Sequence, residues 1–430
     1  MRAVRRRVDP EHGDGAGVSC DRERTVLVSL YPRGSPAHGV ADYTRSLALA
    51  LAREGRAVEV WAERTPTAPR AVHERDAEVT VYRVWRPGAL VGPDLWRQAR
   101  RDPPPLLHVQ FEPFTYGGPL GFFSLWLFLV WARLAGALVV VTLHHVVAPH
   151  ELTAEVLARS GIPLPPSLVR AACLLSTRLL ASLAHGVVVH ADVFRHRLAT
   201  AYGVEVHRVA VVPHGVPSID PAATSPADPP GGERVLLLFG FLKWYKGIDL
   251  VLEAFRQVAH QVPGWRLVVA GGLPARPSTV HRRYAESLRR LSRGLDGRVE
   301  FLGHVPDEHV PRLFHRADLV LFPYRLLFAA SGPLALAIGW RRPMVISTAL
   351  RPLLPQWPWV CPAEVDAWAA TLRRLMEDGE QWRAARARLA DLAPVWAWPE
   401  VARRTAAIYA EMTARAPSVS RPVPTPWPEP

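Results

Sequence analysis

Short apolar runs alternate with longer amphipathic segments through the first half of the chain. The runs cover residues 25–30, 57–63, 78–85, 106–111, 138–145, 186–190 and 209–215. They are apolar on both faces, as strands are when helices cover both sides of a parallel sheet. The first intervening helix is predicted to begin near Asp42, as its N-cap, and to stop at Gly55. The pattern therefore predicts a parallel α/β domain.

The alternation stops at a Pro-rich segment and then begins again. Residues 217–233 read PSIDPAATSPADPPGGE, which is typical of a linker, and new strand-like runs follow at 234–241, 265–272, 298–303, 319–324 and 343–348. We predict a basic tail over 1–24, a first Rossmann-like domain over 25–216 and a second over 234–395. A helix is expected over 396–415 and a disordered Pro-rich tail over 416–430.

Residues 119–132, PLGFFSLWLFLVWA, form an uncharged segment that raises the question of membrane contact. A membrane-spanning helix needs about 20 apolar residues, and here Arg133 and Gly136 interrupt. We expect a buried or membrane-docking helix followed by a strand. The net charge of +13 and the run Arg2, Arg5, Arg6 and Arg7 leave peripheral contact with anionic lipid open, beside a simple solvated tail.

Composition excludes several function classes. The cysteines, Cys20, Cys173 and Cys361, are far apart and have no metal-type spacing, which favours a reducing, cytoplasmic compartment. The basic run has no apolar stretch behind it and is not a secretory signal. No nucleic-acid recognition motif is present, so we expect no nucleic-acid partner.

A loop with two lysines follows the first strand of the second half. In FGFLKWYKGID (239–249), Gly240 ends the strand, and Lys243 and Lys246 precede Gly247 at a helix N-terminus. Backbone amides, the helix dipole and two ammonium groups favour an anion there, and a diphosphate is the ligand we expect. A pair of surface lysines is the alternative interpretation.

A second loop of the same half carries Ser331 and Gly332 at the start of an apolar helix. It offers amides and a hydroxyl to a donor phosphate or sugar, with Arg325 at the same edge. An ordinary helix cap is the alternative interpretation.

Polar residues also end the strands of the first half. These are Gln110, Glu112, His144, His145, His190 and His214, while Gly34 and Gly39 follow the first strand. Any one histidine is more often structural, but strand ends that meet at one edge of a sheet predict a polar cleft. His144 and His145 point to opposite faces, so no metal site is expected.

At this point the chain resembles glycosyltransferase family 4, whose GT-B architecture has two Rossmann-like domains facing across a cleft. The resemblance covers roughly residues 25–415. It rests on GVADYTRSLALALAREGRAVEVW, VVVTLHHV, VVPHGV, FGFLKWYKGIDLVLEAF, VEFLGHVPDEHVPRLFHRADLVLFPYR and WAWPEVARRTAAIYAEM. The last of these is similar to the family's closing helix, which crosses back to the first domain.

The resemblance implies retaining sugar transfer from a nucleotide-diphosphate sugar to a glycan, lipid-linked or small-molecule acceptor, with no cofactor and no metal. It implies catalytic roles for His144 and Lys246. Diphosphate contacts would come from Lys243, Lys246, Gly240, Gly247, Ser331 and Gly332. Nucleotide contacts would come from His304, Tyr324 and Arg325. Acceptor or sugar contacts would come from Gly39, Gln110, Glu112, His144 and His214.

Two positions depart from the common family pattern. Phe241 stands where many family members have an arginine. Phe328 and Leu336 stand where the family usually has a pair of glutamates. A subgroup of the family that has Ser-Gly in this loop also lacks the glutamate pair. Three functions therefore stay open: an active transferase, an inactive nucleotide-sugar-binding or scaffold protein, and a nucleotide-sugar epimerase. An active transferase could also associate with the cytoplasmic face of a membrane.

Overall fold

The computed structural model describes residues 24–32, 39–65, 72–113, 115–220, 232–274, 277–295, 297–377 and 380–415. Nearly all of the predicted basic tail, the Pro-rich tail and most of the predicted linker lie outside these residues.

An eight-stranded sheet forms the centre of the first half. Its strands are β1 (Thr25–Ser29), β2 (Val58–Glu63), β3 (Val72–Asp76), β4 (Val79–Trp85), β5 (Leu106–Phe111), β6 (Leu138–Leu143), β7 (Gly186–Val189) and β8 (Val209–Val211). The order is β3-β4-β2-β1-β5-β6-β7-β8. All seven predicted strands are confirmed, and every residue of β1, β5 and β7 is buried, as in strands covered by helices on both faces.

The sheet is parallel except at one edge, where the prediction was wrong. β3 pairs with β4 in antiparallel register, with Asp76 opposite Val79. Its sequence, VHERD, carries no apolar run, so the pattern gave no signal for it.

Helices cover both faces of this sheet. They are α1 (Gly39–Arg53), α2 (Val91–Arg101), α3 (Gly118–Leu134), α4 (Ala154–Arg159), α5 (Pro166–Leu183) and α6 (Asp192–Tyr202). The predicted start of α1 was wrong: the helix begins at Gly39, and Asp42 lies in its first turn, where a carboxylate still favours the positive helix end.

A six-stranded parallel sheet forms the centre of the second half. It contains β9 (Arg234–Phe239), β10 (Trp265–Ala270), β11 (Val299–Gly303), β12 (Leu319–Phe322), β13 (Met344–Ser347) and β14 (Val360–Cys361). The order β11-β10-β9-β12-β13-β14 is that of a Rossmann fold, so a crevice opens beside β9 and β12 at their carboxyl ends.

The helices of the second half include one that joins the halves. They are α7 (Ile248–Val258), α8 (Thr279–Leu291), α9 (Val310–Arg316), α10 (Gly332–Gly339), α11 (Val365–Glu377), α12 (Glu380–Trp396) and α13 (Trp398–Arg415). As predicted, α13 crosses back and packs on α1 of the first domain. Its Tyr409 hydroxyl lies 2.5 Å from Nδ1 of His108 in β5.

Candidate active site

The loop between β9 and α7 has a backbone conformation that favours glycine at its two ends. Gly240 has φ of 118° and Gly247 has φ of 66°. A Cβ on Gly247 would come within 2.0 Å of the Pro323 carbonyl oxygen, so the loop lies directly against the end of β12. A short 3-10 helix, Trp244–Lys246, occupies the middle of the loop. The sequence thus brings both lysines to the switch point of the sheet.

Lys246 is buried at this edge. Its Nζ lies 5.6 Å from the centroid of the Tyr324 ring and would be 2.4 Å from a Cβ on Gly240. Burial lowers its pKa to about 8, and no carboxylate of the described residues counteracts that shift. An uncompensated buried cation is costly, so this position favours an anionic ligand.

Lys243 faces the first domain. Burial lowers the pKa of Lys243, the Glu112 carboxylate across the cleft raises it, and the neighbouring Lys246 lowers it further. Its Nζ lies 5.9 Å from the centroid of the Tyr245 ring. The two lysines therefore give one positive region, and Glu112 lies opposite it.

Ser331 caps α10 beside the lysines. Its Oγ accepts from the Leu334 amide at 3.3 Å and lies 3.0 Å from the Tyr324 hydroxyl. Burial raises the pKa of Tyr324 to about 12, so its hydroxyl stays protonated. Ser331 is thus an N-cap, as the alternative interpretation has it, and the Gly332 amide lies at the positive end of the helix. Contact of Ser331 and Gly332 with a donor stays a prediction.

Arg325 is engaged within the protein. Its two terminal nitrogens donate to the Asp249 carboxylate at 2.8 Å each, and Nη1 also donates to the Trp244 carbonyl at 3.1 Å. Tyr284 donates to the same carboxylate at 2.8 Å. Arg325 therefore ties the lysine loop to β12, and its nucleotide contact stays a prediction.

A cavity of about 90 Å³ opens between these groups. Its lining includes Tyr245, Lys246, Tyr324, Phe328, Ser331 and Gly332. Ligand pockets usually measure roughly 300–1,000 Å³, so the space fits a phosphate-sized group rather than a whole nucleotide sugar. All of the residues that line it belong to the second domain.

Direct contacts join the two domains across the cleft. Arg197 of α6 donates to the Leu327 carbonyl at 2.7 Å, and the Val146 amide donates to the Phe328 carbonyl at 3.1 Å. A Cβ on Gly332 would lie 3.9 Å from His214 Nε2. The structure is thus a closed arrangement of the two domains.

Buried histidines line the first-domain side of the cleft. His190 Nδ1 donates to the Val212 carbonyl at 3.0 Å, and His190 Nε2 lies 3.2 Å from His144 Nδ1. Burial lowers the pKa of His190 to about 3 and that of His144 well below its usual value. Both rings are therefore neutral, and each carries a proton on only one of its two nitrogens.

Gln110 extends this network toward the crossing helix. Its Oε1 lies 2.9 Å from His144 Nε2, and its Nε2 lies 3.1 Å from His108 Nε2. His108 reaches Tyr409 of α13, and burial lowers its pKa to about 3. His144 thus has both ring nitrogens engaged, and its catalytic role stays a prediction.

The remaining predicted residues are dispersed around the cleft. Gly39 begins α1, and the loop before it, 33–38, lies outside the described residues. His304 is exposed after β11, and its Cβ would lie 3.2 Å from a Cβ on Gly272. His145 Nδ1 lies 3.6 Å from Glu112 Oε1, on the other side of the strand from the histidine network.

Sequence reasoning missed three contributors. Tyr43 packs its ring 4.8 Å from His144 and 5.3 Å from His214, between centroids. His108 lies two residues before Gln110 on one strand, which puts both on the same face and was a readable signal. Asp249 had no signal, because its partner Arg325 is distant in sequence.

The described residues offer neither a cluster of metal ligands nor a membrane-spanning helix. No three His, Cys, Asp or Glu side chains there converge in a way that would hold a metal ion. No helix there combines the length and the apolar character needed to cross a bilayer.

Family models match both halves of the chain. Residues 38–215 match the glycosyl transferase 4-like domain, and residues 233–378 match glycosyl transferases group 1. The second match covers the lysine loop and α10, and the first covers the histidine network.

Known proteins resemble the chain over nearly its full length. The D-inositol 3-phosphate glycosyltransferase of Kineococcus radiotolerans is 26% identical, over 90% of this chain and 95% of the relative. Sucrose-phosphate synthase from Thermosynechococcus elongatus has a similar structure, with a TM-score of 0.70, 18% identity and coverage of 91% of this chain and 100% of that one.

Anabaena HepE in complex with UDP-glucose is also similar, with a TM-score of 0.66, 15% identity and coverage of 90% and 99%. These structures show the fold, and the matches over both domains show the family. The chain belongs to the group 1, family 4-like glycosyltransferases and has the GT-B architecture.

Proposed function

We propose that the protein moves a sugar from a nucleotide-diphosphate sugar to an acceptor hydroxyl, with retention of configuration at the anomeric carbon. The observation that carries this proposal is the buried Lys246 ammonium beside the small cavity, with no carboxylate partner among the described residues. Such a site gains most from an anion, because burial strengthens the attraction between unlike charges.

The donor diphosphate is assigned to the space between the lysine loop and α10. Lys246 and Lys243 supply positive charge, and the Gly332 amide with the Ser331 hydroxyl lies at the positive end of α10. Charge builds on the diphosphate as the sugar leaves, so groups fixed there in advance stabilise the transition state more than the ground state.

Retention is the stereochemistry that the resemblance of the sequence to family 4 implies. The bond from the anomeric carbon to the diphosphate oxygen breaks through an oxocarbenium-like state. The acceptor oxygen forms its bond on the same face, and the acceptor proton passes to the departing diphosphate.

Charge neutralisation by lysines and amides leaves no step that requires a metal or a cofactor. The first domain supplies the acceptor side, where Glu112, His214 and the histidine network face the donor loop. The first donor to test is UDP-glucose, which is bound in the HepE structure. One acceptor class to test is inositol 3-phosphate, after which the Kineococcus enzyme is named.

A transfer assay tests the proposal. The protein is incubated with labelled UDP-, GDP-, ADP- and TDP-sugars and an acceptor extract, with and without EDTA. We expect one donor to give a glycoside whose anomeric configuration, determined by NMR, matches that of the donor, with the same yield in EDTA.

Other outcomes identify the rival functions. Nucleotide-sugar binding without transfer to any acceptor would indicate an inactive binding or scaffold protein. Release of free sugar or its epimer without an acceptor would indicate an epimerase. An inverted product would contradict the retaining mechanism.

A further inference from the structure

The solvent side of α3 carries a stripe of large apolar side chains along the whole helix. These are Leu120 (70% exposed), Phe123 (49%), Leu127 (62%) and Leu134 (84%). Steps of three, four and seven residues put all of them on one face of a helix. The opposite side holds α3 in the domain core through Phe122, Leu125, Phe128 and Leu129.

α5 lies next to α3 and extends this apolar surface. Leu164, just before the helix, and Leu168 and Leu175 within it are each at least half exposed. Both helices cover the same sheet, so their solvent sides form one surface. Soluble monomers rarely expose contiguous apolar patches larger than a few hundred Å², and larger ones mark contact sites.

The rim of this surface is basic. α2 packs on the other side of α3 and exposes Arg97, Arg100 and Arg101, while Arg133 is exposed near the end of α3. α3 and α5 contain no Asp or Glu, and the single acidic residue of α2, Asp94, is buried and bonded to Arg86 and Arg97. The surface thus combines apolar and cationic groups.

Two tryptophans lie where the basic and apolar parts meet. The Trp96 and Trp131 rings are 6.4 Å apart between centroids, and the Arg100 guanidinium lies 4.8 Å from the centroid of the Trp96 ring. Tryptophan is enriched at the boundary between lipid headgroups and acyl chains. An anionic bilayer matches this arrangement of leucine, tryptophan and arginine better than a protein surface does.

We propose that the face formed by α2, α3 and α5 docks on an anionic lipid membrane. The leucines of α3 and α5 enter the headgroup–acyl boundary, and the arginines of α2 and α3 bind lipid phosphates. The helices lie in the plane of the interface, because the inner side of α3 stays packed in the domain core.

The position of this face also indicates the class of acceptor, an inference that rests on the proposed function. α3 begins a few residues after Glu112, at the carboxyl end of β5, so the apolar stripe starts beside the acceptor side of the cleft. A docked protein would present its acceptor site to molecules anchored in the membrane. The acceptor class inferred is a lipid, or a sugar carried on one.

Vesicle flotation tests the docking. Vesicles of phosphatidylcholine with about one-third phosphatidylglycerol are compared with phosphatidylcholine alone, at low and high salt. The full chain should float with the anionic vesicles and bind at least tenfold more weakly at high salt, since surface charge is screened.

Three variants locate the contact. Leu127→Glu with Leu175→Glu should reduce vesicle binding at least tenfold, and Arg100→Ala with Arg101→Ala should remove the preference for anionic lipid. Leu302→Glu is the matched control, because Leu302 is 41% exposed on β11 of the other domain. It should float like the wild type.

Several results would overturn the inference. These are no flotation of the wild type, unchanged flotation of the double-glutamate variant, or a solution dimer that this variant dissociates. A thermal shift with nucleoside diphosphates is measured on every variant in parallel. Vesicle binding without any nucleotide shift would contradict the proposed function and leave the docking supported.

Discussion

Lys246 and Gly240 fit together so closely that a single methyl group on the glycine would displace the ammonium. The Cβ of an alanine at position 240 would lie 2.4 Å from Nζ. The lysine therefore takes its place because Gly240 has no side chain, and the backbone there has φ of 118°.

We expect Gly240→Ala to abolish binding of the donor nucleotide, because the ammonium moves away from the cavity. Gly264→Ala is the matched control: its φ is 94°, and nothing lies within 4 Å of its added Cβ. Both variants carry the strain of a positive φ, typically about 1 kcal/mol. Calorimetric titration should show lost binding only for Gly240→Ala, and equal loss in both would contradict the fit between the two residues.

Replacing the buried cation should stabilise the protein without ligand. Lys246→Met removes a desolvated charge whose pKa is lowered to about 8. Since one pKa unit corresponds to about 1.4 kcal/mol and the pKa falls from 10.5 to about 8, the gain at pH 7 is on the order of 3 kcal/mol. Urea unfolding measures it, and a loss of stability would show that the ammonium has a favourable partner.

The lowered pKa of Lys246 also predicts the direction in which stability changes with pH. Between about pH 8 and the usual lysine value of 10.5, the unfolded chain holds a proton that folded Lys246 has released. Its contribution to stability therefore rises with pH in this window. The wild type should gain stability relative to Lys246→Met from pH 8 to 10, and parallel pH profiles would refute the shift.

Ligand affinity should change in the opposite direction. Only the protonated lysine attracts the diphosphate, and with a pKa of about 8 the charged fraction at pH 9 is about one-tenth of that at pH 7. We expect about tenfold weaker binding at pH 9. In Lys246→Arg, which stays charged, any remaining binding should lack this loss.

The crossing helix stabilises the fold through one buried hydrogen bond. Tyr409→Phe leaves His108 Nδ1 without its 2.5 Å partner, and an unsatisfied buried polar group costs about 1–3 kcal/mol. Chemical denaturation should show a loss in this range. Thr413→Ala, which removes a hydroxyl bonded only within α13, is the control and should cost less.

The sequence predicted the fold well because local periodicity controls it. Every predicted strand was found, since apolar runs such as VLVS and VLLLF have few other places to pack. β3 and the two-residue β14 were missed because their pairing depends on neighbours distant in sequence. The N-cap of α1 was misplaced because several polar residues compete for one turn.

The sequence predicted which edge of the sheet carries the site, but not most of the contacts within it. The rule that ligands bind at strand ends brought Lys246, Ser331 and Gly332 to one cavity. It gave no information on the Arg325–Asp249 pair, the Tyr43 contacts or the closed cleft. The first two depend on packing within one domain between elements distant in sequence, and the third depends on how the two domains meet, so no local pattern predicts them.

The central claim is that Lys246 holds the donor diphosphate. It is tested most directly by thermal unfolding of the wild type and Lys246→Met with UDP, GDP, ADP and TDP. We expect one of these to raise the melting temperature of the wild type and to leave the variant unchanged. No shift with any of them, or an equal shift in both proteins, would contradict it.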